Sequence, residues 1–365
     1  MAQVGARRVR GPRGGIYPLR DECRVSSAGG GLAPIGSVLA IVPLHWNHLD
    51  SGAAGDTRAA STIRFRAKAS SRLESSYDQA VFATLLGALP RPTPATGDVD
   101  RLIELAVRGQ EDAGLEPITD GRLGRLVFKR VPTPEAAVDA WRSTQGMTER
   151  AVKQALPGPF GLGGDVAAAD ALADVMLALA GAGCPLVEIE EAGLERLGDE
   201  AERRRFHDAH DRLLAKLTGT RTHVSLSIVG TSPGPDAWPT VLELPYASLA
   251  VDLITGPESW NLVTRWPGDR GVIAGVQSAG ANDEPKEVLL WAAHYAASTR
   301  GRGRDRVGIG SAGSWANLTW DVAVRKMRLL GEAARLATMP PSDELARSLD
   351  PNAVSSRRAA LGHDV

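Results

Sequence analysis

After residue 77, eight short apolar runs rich in branched residues alternate with longer helical stretches, and this rhythm restricts the chain more than any other feature. The runs occupy 81–86, 115–119, 151–156, 185–190, 222–228, 248–253, 271–276 and 306–310. Each is too short for a helix of ordinary length, and Gly, Pro or Asp often marks its edges, so each predicts a strand. Between them, Val99, Leu102, Ile103 and Ala106 make one apolar stripe, with Asp98 placed to cap and Gly114 to stop a helix over 99–114. The Ala- and Leu-rich segment 166–182 predicts another. Further helices are expected over 200–217, with charges on its outer face, and over the amphipathic 285–298 and 321–338.

Eight strands, each followed by a helix, predict an α/β fold of the (β/α)8 TIM-barrel kind over 78–340, a length that matches the ~250 residues typical of it. A doubly wound open sheet is the competing arrangement. Residues 1–77 are rich in Arg, Gly, Ser and Ala with weak periodicity, which predicts a low-complexity, poorly ordered extension; 341–365 reads as a flexible tail. The formal net charge of -1 gives no field that would attract nucleic acid or a membrane surface. No apolar run is long enough to span a bilayer, and none has the form of an export signal. Cys23 and Cys184 make no disulfide framework, so a reducing, cytoplasmic setting is expected. The expected partner is a small molecule.

Chemistry in such a barrel sits where strands end. The first expected strand runs into G-A-L-P-R-P, which places Arg91 on a rigid loop, suited to a carboxylate or phosphate, or simply solvated. The second ends in T-D-G-R, where Asp120 either fixes the turn or contacts a ligand. The third carries Lys153 and leads into P-G-P-F-G-L-G-G. The fourth ends E-I-E-E: Glu188 and Glu190 share one face and Glu191 takes the other. Two carboxylates facing a barrel interior are costly unless paired, and so placed they can bind an amine or act as acid and base. In T-H-V-S-L-S, residues 222–227, His223, Ser225 and Ser227 share the polar face of the fifth strand. Asp252 ends the sixth. Trp315, past the eighth, is a candidate to stack on a flat ring.

In order, G-A-L-P-R, D-A-G-L-E-P-I-T-D-G, V-K-Q-A-L-P-G-P, A-G-C-P-L-V-E-I-E-E-A-G-L, G-V-Q-S and V-G-I-G-S-A-G resemble the catalytic barrel of cobalamin-independent methionine synthase, within the superfamily that includes uroporphyrinogen decarboxylase. The resemblance implies methyl transfer from a folate to homocysteine, with zinc held by His-x-Cys, Glu and Cys. Carried over, His223 matches the histidine and Asp252 stands for the glutamate. Ser225 and Ala312 stand where the two cysteines should be. A zinc site of the family type is therefore not expected, since it needs about four N, S or carboxylate donors. Methyl-folate stays open as a cosubstrate. Other positions also depart: Glu190 stands where the amine-binding acid belongs, Glu188 replaces a Gln, Ala192 a Pro and Ser278 an Asp. The family's amino-terminal duplicate barrel has no counterpart in 1–77. Two expectations follow. One is an enzyme with altered chemistry on a small acidic or amino-acid-like substrate, either one-carbon transfer or a metal-free lyase or decarboxylase, with His223, Glu190 and Asp252 as its catalytic groups. The other is a non-catalytic binding or scaffold paralogue.

Overall fold

The computed structural model describes residues 80–339 apart from 93–96, 125, 127, 165 and 231. The expected extension and tail lie outside these residues. Among these residues seven strands form one parallel sheet: β1 Phe82–Thr84, β2 Lys153–Pro157, β3 Leu186–Glu190, β4 His223–Ile228, β5 Ser248–Asp252, β6 Gly271–Gln277 and β7 Val307–Ser311. Their order, β1-β7-β6-β5-β4-β3-β2, sets the first strand beside the last, as a curled ring requires and an open doubly wound sheet does not.

The strand expected at 115–119 is not a strand. A single bridge joins Ile118 to Val152, and Glu116 N–H donates to Ala83 O on the other side. Pro117 is the reason: it has no N–H to give to a ladder, so regular pairing cannot propagate through it. Side chains supplement what the ladder lacks. Thr84 Oγ1 donates to Pro117 O at 2.8 Å, and Gln110 clasps Thr119 through both its N–H and its C=O, at 3.0 and 2.7 Å.

The helices are α1 Val99–Asp112, α2 Pro134–Gln145, α3 Val166–Ala182, α4 Glu200–Ala215, α5 Trp238–Glu243, α6 Trp260–Arg265, α7 Lys286–Ser298 and α8 Trp320–Thr338. Asp98, Thr133, Asp199 and Thr319 accept first-turn N–H groups of α1, α2, α4 and α8. Gly114 stands just past α1 with φ +78°, the left-handed turn expected of a stop. Among the described residues no helix is long and apolar enough to cross a membrane.

Alternation along the strands sorts the side chains into two layers. Val187, Ile189, Val224, Leu226, Leu249 and Val251 pack outward, in one core with Leu172 and Met176 of α3 and Leu213 of α4. The inner face is split. Towards β1, β5 and β6 it is apolar, with Leu86, Ala250 and Ile273 in contact with Phe82 and Val229. Towards β2, β3 and β4 it is polar. Away from the ring, Arg302 is fully buried after α7, and its guanidinium donates to the carbonyls of Arg270, Ala296 and Trp266 at 2.9–3.0 Å.

Candidate functional site

The polar inner face begins with register. Glu188 lies opposite Ser225 and Glu190 opposite Ser227, so β3 and β4 present a two-by-two patch of carboxyl and hydroxyl groups. Each carboxylate has a cation. Lys153 Nζ of β2 lies 2.7 Å from Glu188 Oε2, both side chains essentially unexposed. Arg122 pairs with Glu190 Oε2. It comes from the D-G-R turn that follows the proline-interrupted segment, where Asp120 Oδ1 accepts its backbone N–H at 2.9 Å. Phe128 covers the guanidinium at 3.7 Å. These pairs make the burial of four charges tolerable.

Burial also moves the titrations. It lowers Lys153, against the pull of Glu188, and Arg122 lowers it further. Arg122 falls to about 10 for the same reason, with Glu188 and Asp120 opposing the fall. Burial raises the Asp120 carboxyl, and its hydrogen bond from Arg122 N–H and the Arg122 charge oppose the rise.

Several atoms of this face have no partner among the described residues. Glu188 Oε1, Glu190 Oε1, Ser225 Oγ, Ser227 Oγ and Arg122 Nε are all buried and unmatched, as is Asp252 Oδ2 at the end of β5. The other oxygen of Asp252 accepts from Ile254 and Thr255 N–H at 2.9 and 2.8 Å, which fixes the side chain. Native proteins match nearly all such groups, with protein or with water, so this face has spare capacity for polar partners.

The structure thus gathers Lys153, Glu188, Glu190, Ser225 and the turn of Asp120. It does not bring His223 to the carboxyl ends. His223 opens β4, whereas Glu190 and Asp252 close β3 and β5. Its Nε2 meets Ser248 Oγ, at the start of β5, at 2.8 Å. Five strand steps of ~3.3 Å, about 16 Å in all, separate it from the far end of β4. Trp315 is also displaced from its expected role. It is fully buried, its Nε1 donates to Ser278 O at 3.0 Å and its backbone N–H to Ala88 O, so no ring face is open to a ligand. Arg91 is exposed on the loop after β1.

Burial lowers His223 to about 4, against an ordinary 6.5. The fold therefore favours its neutral form. That contribution is complete above pH 6.5 and fades as pH falls towards 4, because the unfolded chain binds the proton first. Thermal melts from pH 7 to 4 should accordingly fall less steeply for His223→Gln than for the unaltered chain; parallel curves would show that the imidazole titrates normally.

The implied zinc donors do not fit an ion. His223 and Asp252 lie at opposite strand ends, and Ala312, buried after β7, offers no side-chain donor. Among the described residues no three His, Cys, Asp or Glu side chains converge as a metal requires. Cys184 supplies no thiolate: it is buried ahead of β3, and desolvation pushes its thiol up to about 12.

Sequence reasoning missed Arg122 as a site residue and left Ser227 outside the site. The signals were present: an arginine directly after a strand-ending Asp-Gly, and one more polar step in S-L-S. No family model matches the sequence, and no curated protein does. Among solved structures the chain is similar to a B12-independent methionine synthase from Shewanella sp. W3-18-1 in complex with selenomethionine. Identity is 14%, the TM-score 0.56, and the match covers 70% of this chain and 97% of that one. It is also similar to a putative vitamin-B12-independent methionine synthase from Listeria monocytogenes, at 15% identity and TM-score 0.55, over 70% and 98% of the two chains. The likeness is one of fold: this chain shares with those two proteins a curled, parallel sheet wrapped by helices, seven-stranded among the described residues.

Proposed function

We propose that the chain is a barrel enzyme that acts on a small amino-acid-like or acidic substrate, without the zinc site of the methionine synthases its fold resembles. The observation that carries this reading is the patch of unmatched acceptors on β3 and β4, Glu188 Oε1 and Glu190 Oε1 beside the Ser225 and Ser227 hydroxyls. An ammonium group offers three N–H donors and a positive charge, which this patch complements. Asp252 Oδ2 adds a further acceptor at the neighbouring strand end. Arg122 and, on the loop after β1, Arg91 supply cations for a carboxylate. Asp120, raised by burial, keeps its proton to a higher pH than an ordinary carboxyl and is the acid of the set. This complement suits proton transfer in a lyase or decarboxylase, or one-carbon transfer with methyl-folate as donor.

One observation favours a binding protein instead: Glu188 and Glu190 already hold cations, so their charges are engaged within the protein. The two readings share the ligand, so binding is tested first. L-methionine, succinate and 5-methyltetrahydrofolate are added separately while thermal unfolding is followed. L-methionine at a hundred times its Kd should stabilise by about 2.7 kcal/mol, which for a chain of this size is roughly 4–5 °C. The shift should vanish in Glu190→Gln and survive treatment with a chelator. No shift with any of the three, or an equal shift in the variant, overturns the site; loss after chelation restores a metal to it.

A further inference from the structure

The third acid of E-I-E-E points away from the ring and has its own use. Glu191 is 5% exposed, and its carboxylate reaches the loop at 157–164 that leaves β2. Oε1 accepts from Phe160 N–H at 2.9 Å and Oε2 from Gly161 N–H at 2.8 Å. The same loop is joined to the site by Gly158 N–H, which donates to Glu190 O at 2.8 Å. Behind Glu191 stands His210 of α4, its Nε2 2.9 Å from Oε1, although without the alignment of a hydrogen bond. His210 Nδ1 meets Tyr246 Oη at 2.6 Å. Burial and the Glu191 charge raise the Tyr246 phenol well above its ordinary range, so its hydroxyl keeps a proton beside the imidazole. The side chains of Glu191 and His210 are unexposed.

The fit is close. A Cβ on Gly158 would lie 2.1 Å from Glu191 Oε1 and Cδ, so the loop backbone and the carboxylate occupy a space made for both. A buried carboxylate held by two amides of one loop and by Ala192 N–H, and backed by a His–Tyr pair, is costly unless the loop must be held still.

We propose that Glu191 is a positioning residue: backed by His210 and Tyr246, it fixes the 157–164 loop beside Glu190 at the carboxyl end of β2. That the loop walls a ligand site rests on the function proposed above; that Glu191 holds the loop does not.

Amide hydrogen exchange of the full chain separates the two. In Glu191→Gln, exchange over 158–164 should rise about tenfold or more, as expected when charge-assisted hydrogen bonds are weakened. The strands β3–β5 should exchange as before. Tyr246→Phe should give a smaller rise confined to the same loop, and Gly158→Ala, which displaces the carboxylate, a rise as large as Glu191→Gln. Unchanged loop exchange in Glu191→Gln overturns the proposal. So does a uniform rise across the whole barrel, the mark of a purely structural residue. Should Glu191→Gln fail to fold, unchanged loop exchange in both other variants overturns it equally. Stabilisation by L-methionine is read in parallel. If the unaltered chain shows none, the proposed site fails, while the exchange data still decide the role of Glu191.

Discussion

Lys153→Met should melt roughly 10 °C below the unaltered chain, a loss on the order of 3–5 kcal/mol. The expectation follows from where the charge is left. Lys153 and Glu188 are 0% and 1% exposed as side chains and meet at 2.7 Å. Removing the ammonium leaves Glu188 buried with only the more distant Arg122 to oppose its charge. Replacing both partners has a different outcome. Lys153→Met combined with Glu188→Leu removes two desolvated charges together, so most of the lost stability should return. The double variant should nonetheless fail to respond to L-methionine, because one of the free acceptors has gone with Glu188. Calorimetry of the single and double variants, with and without the ligand, checks both halves. If the double variant is no more stable than the single, the pair is not the reason Lys153 matters.

The second large effect lies far from the site. Arg302→Met should cost on the order of 3–5 kcal/mol, because its buried guanidinium satisfies carbonyls from three separate segments at once. Those are Arg270 O before β6, Ala296 O in α7 and Trp266 O after α6, with Thr299 Oγ1 a further contact at 2.5 Å. Among the described residues no carboxylate pairs with it, and burial lowers it to about 10, with Arg300 and Arg306 adding to the fall. It serves as a hub of directed donors. Arg302→Lys should therefore recover only a minor part of the loss: three donors on one nitrogen cannot span acceptors that a planar fork reaches from both sides. Urea midpoints of the two variants decide this, and a lysine variant as stable as the parent would reduce Arg302 to a charge effect.

The ring was legible because its strands are buried on both faces and carry branched residues in short runs; seven of the eight expected runs hold a strand. The eighth failed at one atom, the missing N–H of Pro117. The long helices were equally plain, α3 matching its expected span of 166–182. Three helices were missed. Of these, α5 and α6 are six residues each, too short for periodicity to show, while α2 announced itself only by Thr133 ahead of Pro134.

At the site, alternation put Glu188 with Glu190, and Ser225 with Ser227, on one face of each strand, since period two is a local property, and the register of β3 with β4 sets the pairs side by side. It did not show at which end of its strand a residue stands. His223 was aligned to a metal ligand by the spacing of H-x-S, yet strand position depends on where pairing with β3 begins, and Leu186 pairs with His223 at the first step. Partnerships across the fold were beyond reach for the same reason. Nothing in the local sequence joins Arg122 to Glu190, or His210 to Glu191.

Gln110 gives one corner of the molecule an adjustable character. Elsewhere the loops beyond β3, β4 and β5 leave strands laced on both sides, so their take-off points are set by whole ladders. The turn bearing Asp120 and Arg122 leaves from a segment held chiefly by one bridge and a few side chains, with Gln110 of α1 clasping Thr119. A single exchange at Gln110 should therefore loosen the turn that carries this arginine while the ladders of β3–β5 stay paired.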